Sequence, residues 1–267
     1  MDFSSAFLIA KLTKTPTDGP PVKVGVAVTD LTTGLYAANS ILAAIIQRSV
    51  SAARSEGGKG GGQHIDVALS DCQVATLTNI AESSLVSKEK DSGRWGTAHP
   101  SIVPYQAFKT ADGDILVGGG NDKLFRILCT QLGKPEWGED DRFATNSSRV
   151  TNRETLEPLI EAETKKRTTG EWLEVLEGSG MPYAAVNDIR STLDHPHVRA
   201  RNMVTQIQHP ACGTIDLLDV PVKYSGSQPR IRDPPPLLGQ HTHEILTKIL
   251  GISRPELTKL EKEGVIA

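Results

Sequence analysis

Aromatic side chains are scarce in this sequence, and cysteines scarcer. Phe, Trp and Tyr make up only 4% of the 267 residues, too few for the stacked platforms that hold single-stranded nucleic acid. The three cysteines, Cys72, Cys129 and Cys212, lie far apart and offer neither a disulfide framework nor a metal-ligand spacing. Charge of one sign is also missing. The formal net charge is −3, and no basic stripe for a phosphate backbone stands out. No run approaches the ~20 apolar residues of a membrane span, and the apolar run at residues 6–10 is too short for a secretory core. The histidines are scattered. His195 and His197 flank a proline, His241 and His243 lie two apart, and neither pair has partners at zinc spacing. No metal site, nucleic-acid partner or membrane partner is therefore expected. What is present is an ordinary globular composition, 38% hydrophobic and 23% charged, long enough for one large domain or two modest ones.

Residues 22–28 alternate and are β-branched, which predicts a short strand. Leu31, Leu35, Ala38, Leu42 and Ile45 then recur at helical spacing, with Ile41 and Ile46 widening the stripe, and predict a helix over 31–50. SEGGKGGGQ carries five glycines in nine residues and reads as a flexible loop. It lacks the Walker spacing and does not open a helix as GxGxxG would. IDVALSD is a strand or a strand-to-helix entry, and a helix is expected over 71–87, followed by a charged connection over 88–94. Strands are predicted at 105–109 and 114–117, turning at Ala111-Asp112-Gly113. Helices are predicted at 122–132, at 151–166 with Thr151 and Glu154 as a capping box, and at 169–178 capped by Thr168 or Thr169. A short helix ends at Asp194, the chain turns β from Met203, and terminal helices begin near Thr242 and around Leu257 and Leu260.

Two features invite chemistry. Asp30 stands between the predicted strand and the predicted helix. It can cap that helix, or, left uncommitted at a strand end facing a cleft, act as a nucleophile towards an acyl group. Gly118-Gly119-Gly120-Asn121 follows a strand and opens a helix. Its amides could face an anion, or its glycines could simply permit a tight turn.

Several motifs in order carry a resemblance. PPVKVGVAVTDLTTGLYAANSILAAIIQR is followed by GQHIDVALSD, GTAHPSIVPYQAFKTADGDILV, RVTNRETL and PPPLLGQHTHEIL. Together they resemble the class III, formyl-CoA transferase-like CoA-transferases over residues 15–251, with Pro20, Pro21, Gly25, Asp30 and Gly34 in register with the family's catalytic segment. Within the family the chain is most similar to members that load coenzyme A from succinyl-CoA onto glutarate or hydroxymethylglutarate. The resemblance implies an α/β fold: a partial, N-terminally truncated Rossmann-like large domain with a smaller α+β domain inserted. It implies large-domain residues over 1–90 and 201–267 and the small domain over 91–200. It also implies that Asp30 is the nucleophile and that coenzyme A is a substrate, no cofactor being needed. Acyl-CoA and a carboxylic acid would be the partners, and the protein would be a homodimer. The family's glycine loop aligns with Gly96, Thr97, Ala98 and His99, and Arg94 and His99 would recognise a dicarboxylate, Arg94 through a bidentate fork.

The family also holds acyl-CoA racemases, which carry an acid where this sequence has Asn121, and whose histidine would precede Asp30. Here no histidine precedes His64, and an amide is no general acid or base. A further alternative is a non-catalytic chain that only pairs with a full-length relative. Roughly the first third of the family pattern has no counterpart, and with it most of the coenzyme A contacts. A parallel sheet deprived of strands exposes apolar faces, so the 267-residue chain by itself is expected to be weakly active or inactive. The resemblance leaves mitochondrion and cytoplasm both open as the compartment.

Overall fold

The computed structural model describes residues 24–54, 57–58, 60–89 and 95–266. Pro20, Pro21, Arg94 and part of the glycine-rich loop lie outside them. The first described element is a long helix, α1 (Val28–Arg54). The strand predicted at 22–28 is not formed over its described part. Residues 24–27 make no ladder and Val28 already begins α1. The cause is the backbone's need for partners: no strand among the described residues lies beside this segment, whereas a helix satisfies its own amides. α1 also runs past the predicted end at 50, since Ser51, Ala52 and Ala53 contain no breaker.

Residues 61–68 form no strand, and two shorter helices follow, α2 (Leu69–Ala75) and α3 (Thr78–Ser87). The single helix predicted over 71–87 is interrupted where Thr78 takes a φ of 40°. α1 meets α2 through a polar contact. The Thr29 hydroxyl donates to Gln73 Oε1 at 2.5 Å, and Gln73 is buried.

Residues 95–186 hold the hydrophobic core. β1 (Tyr105–Lys109) and β2 (Asp114–Gly118) pair antiparallel, with Phe108 opposite Ile115, and β3 (Tyr183–Ala185) adds to the other edge of β2. The hairpin is closed by Thr110 N–H on Gly113 O. Asp112 then ties it to the next layer by accepting from the Thr169 amide at 2.7 Å. That bond, with weaker hydroxyl bonds, holds the Asp112 carboxyl below its ordinary range.

Four helices cover the sheet: α4 (Asp122–Gln131), α5 (Asn146–Thr151), α6 (Arg153–Thr164) and α7 (Thr169–Leu176), with a 3-10 turn at Pro135–Gly138. Each inward face is apolar at helical spacing: Phe125, Leu128 and Cys129 from α4, Leu156 and Ile160 from α6, Trp172 and Leu176 from α7, all buried. Of the caps, the one expected at Thr168 or Thr169 forms at Thr168, and Asn121 is a cap that the sequence reading had not assigned. Asn121 caps α4, and Thr168 with Glu171 forms a full capping box on α7. The box predicted at Thr151 is not formed. Thr151 ends α5, which Thr145 caps, and α6 starts only at Arg153.

The chain divides into two compact units between Val186 and Asn187. The second carries α8 (Ile189–Asp194), capped by Asp188, and α9 (Pro196–Ala200). A hairpin, β4 (Val204–His209) with β5 (Gly213–Leu218), pairs Val204 with Leu218, and α10 (Thr242–Lys248) and α11 (Arg254–Lys262) close the chain. Helices and two small sheets give a mixed α/β protein; both described sheets are antiparallel.

One charged side chain sits inside the first unit's core. Arg149 has no exposed surface. Its guanidinium donates to Val103 O (2.6 Å), Phe143 O (2.8 Å) and Asp122 Oδ1 (2.9 Å), and lies over the Phe125 ring. Arg149→Met keeps much of the volume but orphans two buried carbonyls. We expect a loss of about 3 kcal/mol or more, read as a lower urea midpoint at unchanged slope.

Candidate functional site

The turn around Gly96 is built by hydrogen bonds to the strand that follows it. Gly96 has a φ of 69°, a left-handed conformation glycine reaches without penalty. Ala98 N–H closes the turn on Trp95 O at 3.0 Å. Thr97 Oγ1 accepts from the Ala107 amide at 2.9 Å, and His99 N–H donates to Tyr105 O at 2.9 Å. Gly96, Thr97, Ala98 and His99 are therefore held together on β1. The amides of Gly96 and Thr97 have no acceptor among the described residues.

The His99 ring is fixed as well. Its Nδ1 accepts from the Ser101 amide at 3.1 Å, and the ring stands edge-on to Tyr105 with centroids 5.8 Å apart. A nitrogen that accepts a backbone N–H carries no proton, so the neutral ring bears its proton on Nε2. His99 is thus a donor at its outer nitrogen.

Asp30 sits in the first turn of α1 and is exposed. The helix begins two residues before it, so its carboxylate is not the cap. No hydrogen bond or ion pair among the described residues engages it. A negative charge in a helix's first turn is favoured by the N-terminal dipole. No hydrogen bond or ion pair among the described residues joins α1 to the turn at 95–99.

The Gly118–Asn121 stretch is a tight packing turn. Gly118 N–H donates to Pro182 O and Gly119 N–H to Pro104 O, while the Asn121 side chain accepts from Leu124 N–H. A Cβ on Gly119 would come within 3.0 Å of the Pro104 ring. With those donors spent and the Asp122 carboxylate in the first turn of α4, the place does not suit an anion.

Three residues that sequence reasoning left without a role converge on the segment carrying His99. Arg153 Nη2 donates to His99 O (2.7 Å) and Pro100 O (3.0 Å), and its guanidinium lies over Trp95. Asn146 donates to Ser101 O and accepts from Val103 N–H. Arg149 takes Val103 O. The available signal was an arginine, Arg149, at a position the helical pattern needs inside, within the RVTNR motif.

The comparisons follow from this fold. The family model of CoA-transferase family III matches residues 5–242, and the chain belongs to that family. It is 41% identical over 251 residues to the succinyl-CoA:glutarate CoA-transferase of Mus musculus, covering 94% of this chain and 56% of that protein. Its identity to the Homo sapiens protein of the same name is also 41%, over 94% of this chain and 55% of that one. The succinate–glutarate CoA-transferase of Agrobacterium fabrum is 37% identical over 89% of this chain and 57% of its own length. The chain thus spans little more than half the length of these relatives. A CAIB/BAIF family protein from Brucella suis superposes with a TM-score of 0.71 at 37% identity, over 91% of this chain and 60% of that one.

Cys72 and Cys129 are buried. Burial pushes the Cys129 thiol up to about 12, the nearby Arg149 charge opposing this only in part. Cys212 is exposed. A thiol-reactive disulfide reagent at pH 8 should therefore modify Cys212 rapidly in the folded chain and Cys129 only on unfolding. The folded Cys129 pKa lies above its ordinary value of 9.0. Its contribution to stability is thus complete below about pH 9 and lost as pH rises towards 12.

Proposed function

We propose that this chain takes part in moving coenzyme A from succinyl-CoA to a dicarboxylic acid such as glutarate, with Asp30 as nucleophile. The observation that carries this reading is the 41% identity, over nearly the whole chain, to proteins named for that reaction. The exposed Asp30 carboxylate, free of capping duty, supports the residue assignment.

The chemistry follows from what a carboxylate can do. Asp30 attacks the succinyl thioester carbonyl, and the tetrahedral oxyanion collapses with departure of the coenzyme A thiolate. A mixed aspartyl–succinyl anhydride results. The thiolate attacks the aspartyl carbonyl, releasing succinate and leaving an aspartyl thioester. A glutarate carboxylate attacks that thioester, again expelling the thiolate and forming an aspartyl–glutaryl anhydride. Attack of the thiolate on the glutaryl carbonyl yields glutaryl-CoA and regenerates the Asp30 carboxylate. Each oxyanion needs donors, and Gly96 N–H, Thr97 N–H and His99 Nε2–H form a group of such donors. On this reading they take the acceptor's carboxylate, assisted by Arg94. Proton transfer at the acyl α-carbon, the racemase chemistry, is disfavoured because Asn121 is an amide and its side chain is spent on the α4 cap.

The same reading extends to a homodimer. Leu31, Leu35, Ile41, Leu42, Ile45 and Ile46 are all exposed along α1, Leu35 at 64%. A contiguous apolar stripe of this kind marks a covered face.

Two experiments test these readings. With succinyl-CoA and glutarate, hydroxylamine should trap a hydroxamate on the Asp30 peptide, seen by mass spectrometry and absent from Asp30→Ala. Whatever acyl exchange the wild-type chain supports should be lost in that variant. Undiminished exchange by Asp30→Ala, or no adduct on a folded chain that binds coenzyme A, would overturn the assignment. In sedimentation, the double substitution Leu35→Glu and Leu42→Glu, two turns apart on one face, should convert a dimer to monomer. A monomeric wild-type chain would remove the dimer.

A further inference from the structure

We infer that Arg153, together with Asn146 and Arg149, is a positioning residue that turns the 95–103 segment into a surface of hydrogen-bond donors for a substrate carboxylate. The inference rests on the reading that this segment faces the acceptor acid.

The argument is an account of the segment's polar groups. Four of its carbonyls are held by side chains of one helical corner. His99 O and Pro100 O accept from Arg153, Ser101 O accepts from Asn146, and Val103 O accepts from Arg149. Trp95 O is taken by the local turn. Of its donors, the Ala98, His99, Ser101 and Val103 amides are spent within the fold, whereas Gly96 N–H and Thr97 N–H have no acceptor among the described residues and the His99 ring carries its proton on Nε2. Arg153 and Arg149 are each paired with a carboxylate, Glu157 and Asp122, so what they lend the segment is a fixed position. The donors left for a ligand are the Gly96 and Thr97 amides and the His99 Nε2–H. A carboxylate is the ligand chemistry that such an array fits.

Arginine suits the role geometrically. One nitrogen, Nη2, reaches both successive carbonyls, Nη1 pairs with Glu157 at 3.2 Å, and the flat face lies 4.7 Å from the Trp95 ring centroid. A lysine keeps the charge but has neither the plane nor the fork. The three contributors stand on consecutive turns, at α5 and the start of α6, so one rigid helical corner sets the whole segment.

The test uses the 15N-labelled chain titrated with glutarate, following the Gly96 and Thr97 amides and the His99 ring nitrogens. In the wild type these resonances should shift and saturate, with His99 in its Nε2–H form throughout. Arg153→Ala should weaken half-saturation about tenfold or more and mix the His99 tautomers, while Arg153→Lys should fall between. Asn146→Ala, which cuts one bridge and leaves both arginines, should weaken binding in the same direction and serves if Arg153→Ala fails to fold. Arg142→Ala removes an equal charge, one paired with Asp140 away from the segment, and should leave half-saturation unchanged. Wild-type affinity and tautomer in folded Arg153→Ala and Asn146→Ala would overturn the positioning role. Glutarate shifts that appear only away from 96–99 in the wild type would overturn the reading on which it rests.

Discussion

A guanidinium with no contact with water organises the described core. Burying Arg149 costs several kcal/mol of desolvation unless its nitrogens find partners, and in this chain each of the three nitrogens donates one hydrogen bond. They reach Val103, Phe143 and Asp122, which lie in the loop before β1, the loop before α5 and the start of α4. Three otherwise independent pieces of chain are thereby fixed to one point. The surrounding apolar residues supply bulk stability, but they could slide; a planar cation with three directed bonds cannot. The turn that carries His99 inherits its position from this constraint, because Val103 anchors the segment's far end.

Much of the fold was legible because local chemistry and tertiary structure agree over residues 105–185. The two strands flanking Ala111-Asp112-Gly113 pair as the expected hairpin, since alternation and turn residues specify the same geometry. Asn121, Thr168 and Asp188 cap the helices that follow them, because a short polar side chain before an apolar periodic run has few better uses. The misreadings occur where local preference lacks a partner. Residues 22–28 have the composition of a strand, but a strand is a relation between two segments, and no second one lies beside the described part. The break at Thr78 and the division at Asn152 also escaped pattern reading, since helical periodicity continues across both.

The site was legible in a more limited way. The proposed nucleophile, Asp30, was singled out by the motif around it, and its placement in the first turn of α1 rather than at the cap required the helix start to be known. His99 stood out as a loop histidine, but its tautomer depends on Ser101 N–H, two residues away and invisible to composition. Arg153 and Asn146 were hardest to read. Their function is to bind backbone carbonyls, and backbone carbonyls leave no signature in a sequence. An arginine in a helix looks like a solvated cation until the chain it reaches is known.

The two parts of the first unit differ in how their apolar surface is used, and the difference bears on chemistry. Residues 95–186 bury their large side chains around Arg149, whereas α1 buries none. Local stability follows buried contact, so the turn at 95–99 belongs to the better-packed part and Asp30 to a helix that buries no side chain of its own. An acyl exchange through an anhydride needs nucleophile and oxyanion donors fixed relative to each other within about 0.5 Å. Covering the α1 stripe is then more than a matter of solubility. On the proposed reading, whatever buries Leu35 and Leu42 would also steady the helix that presents Asp30, so assembly and acyl exchange would draw on the same apolar surface.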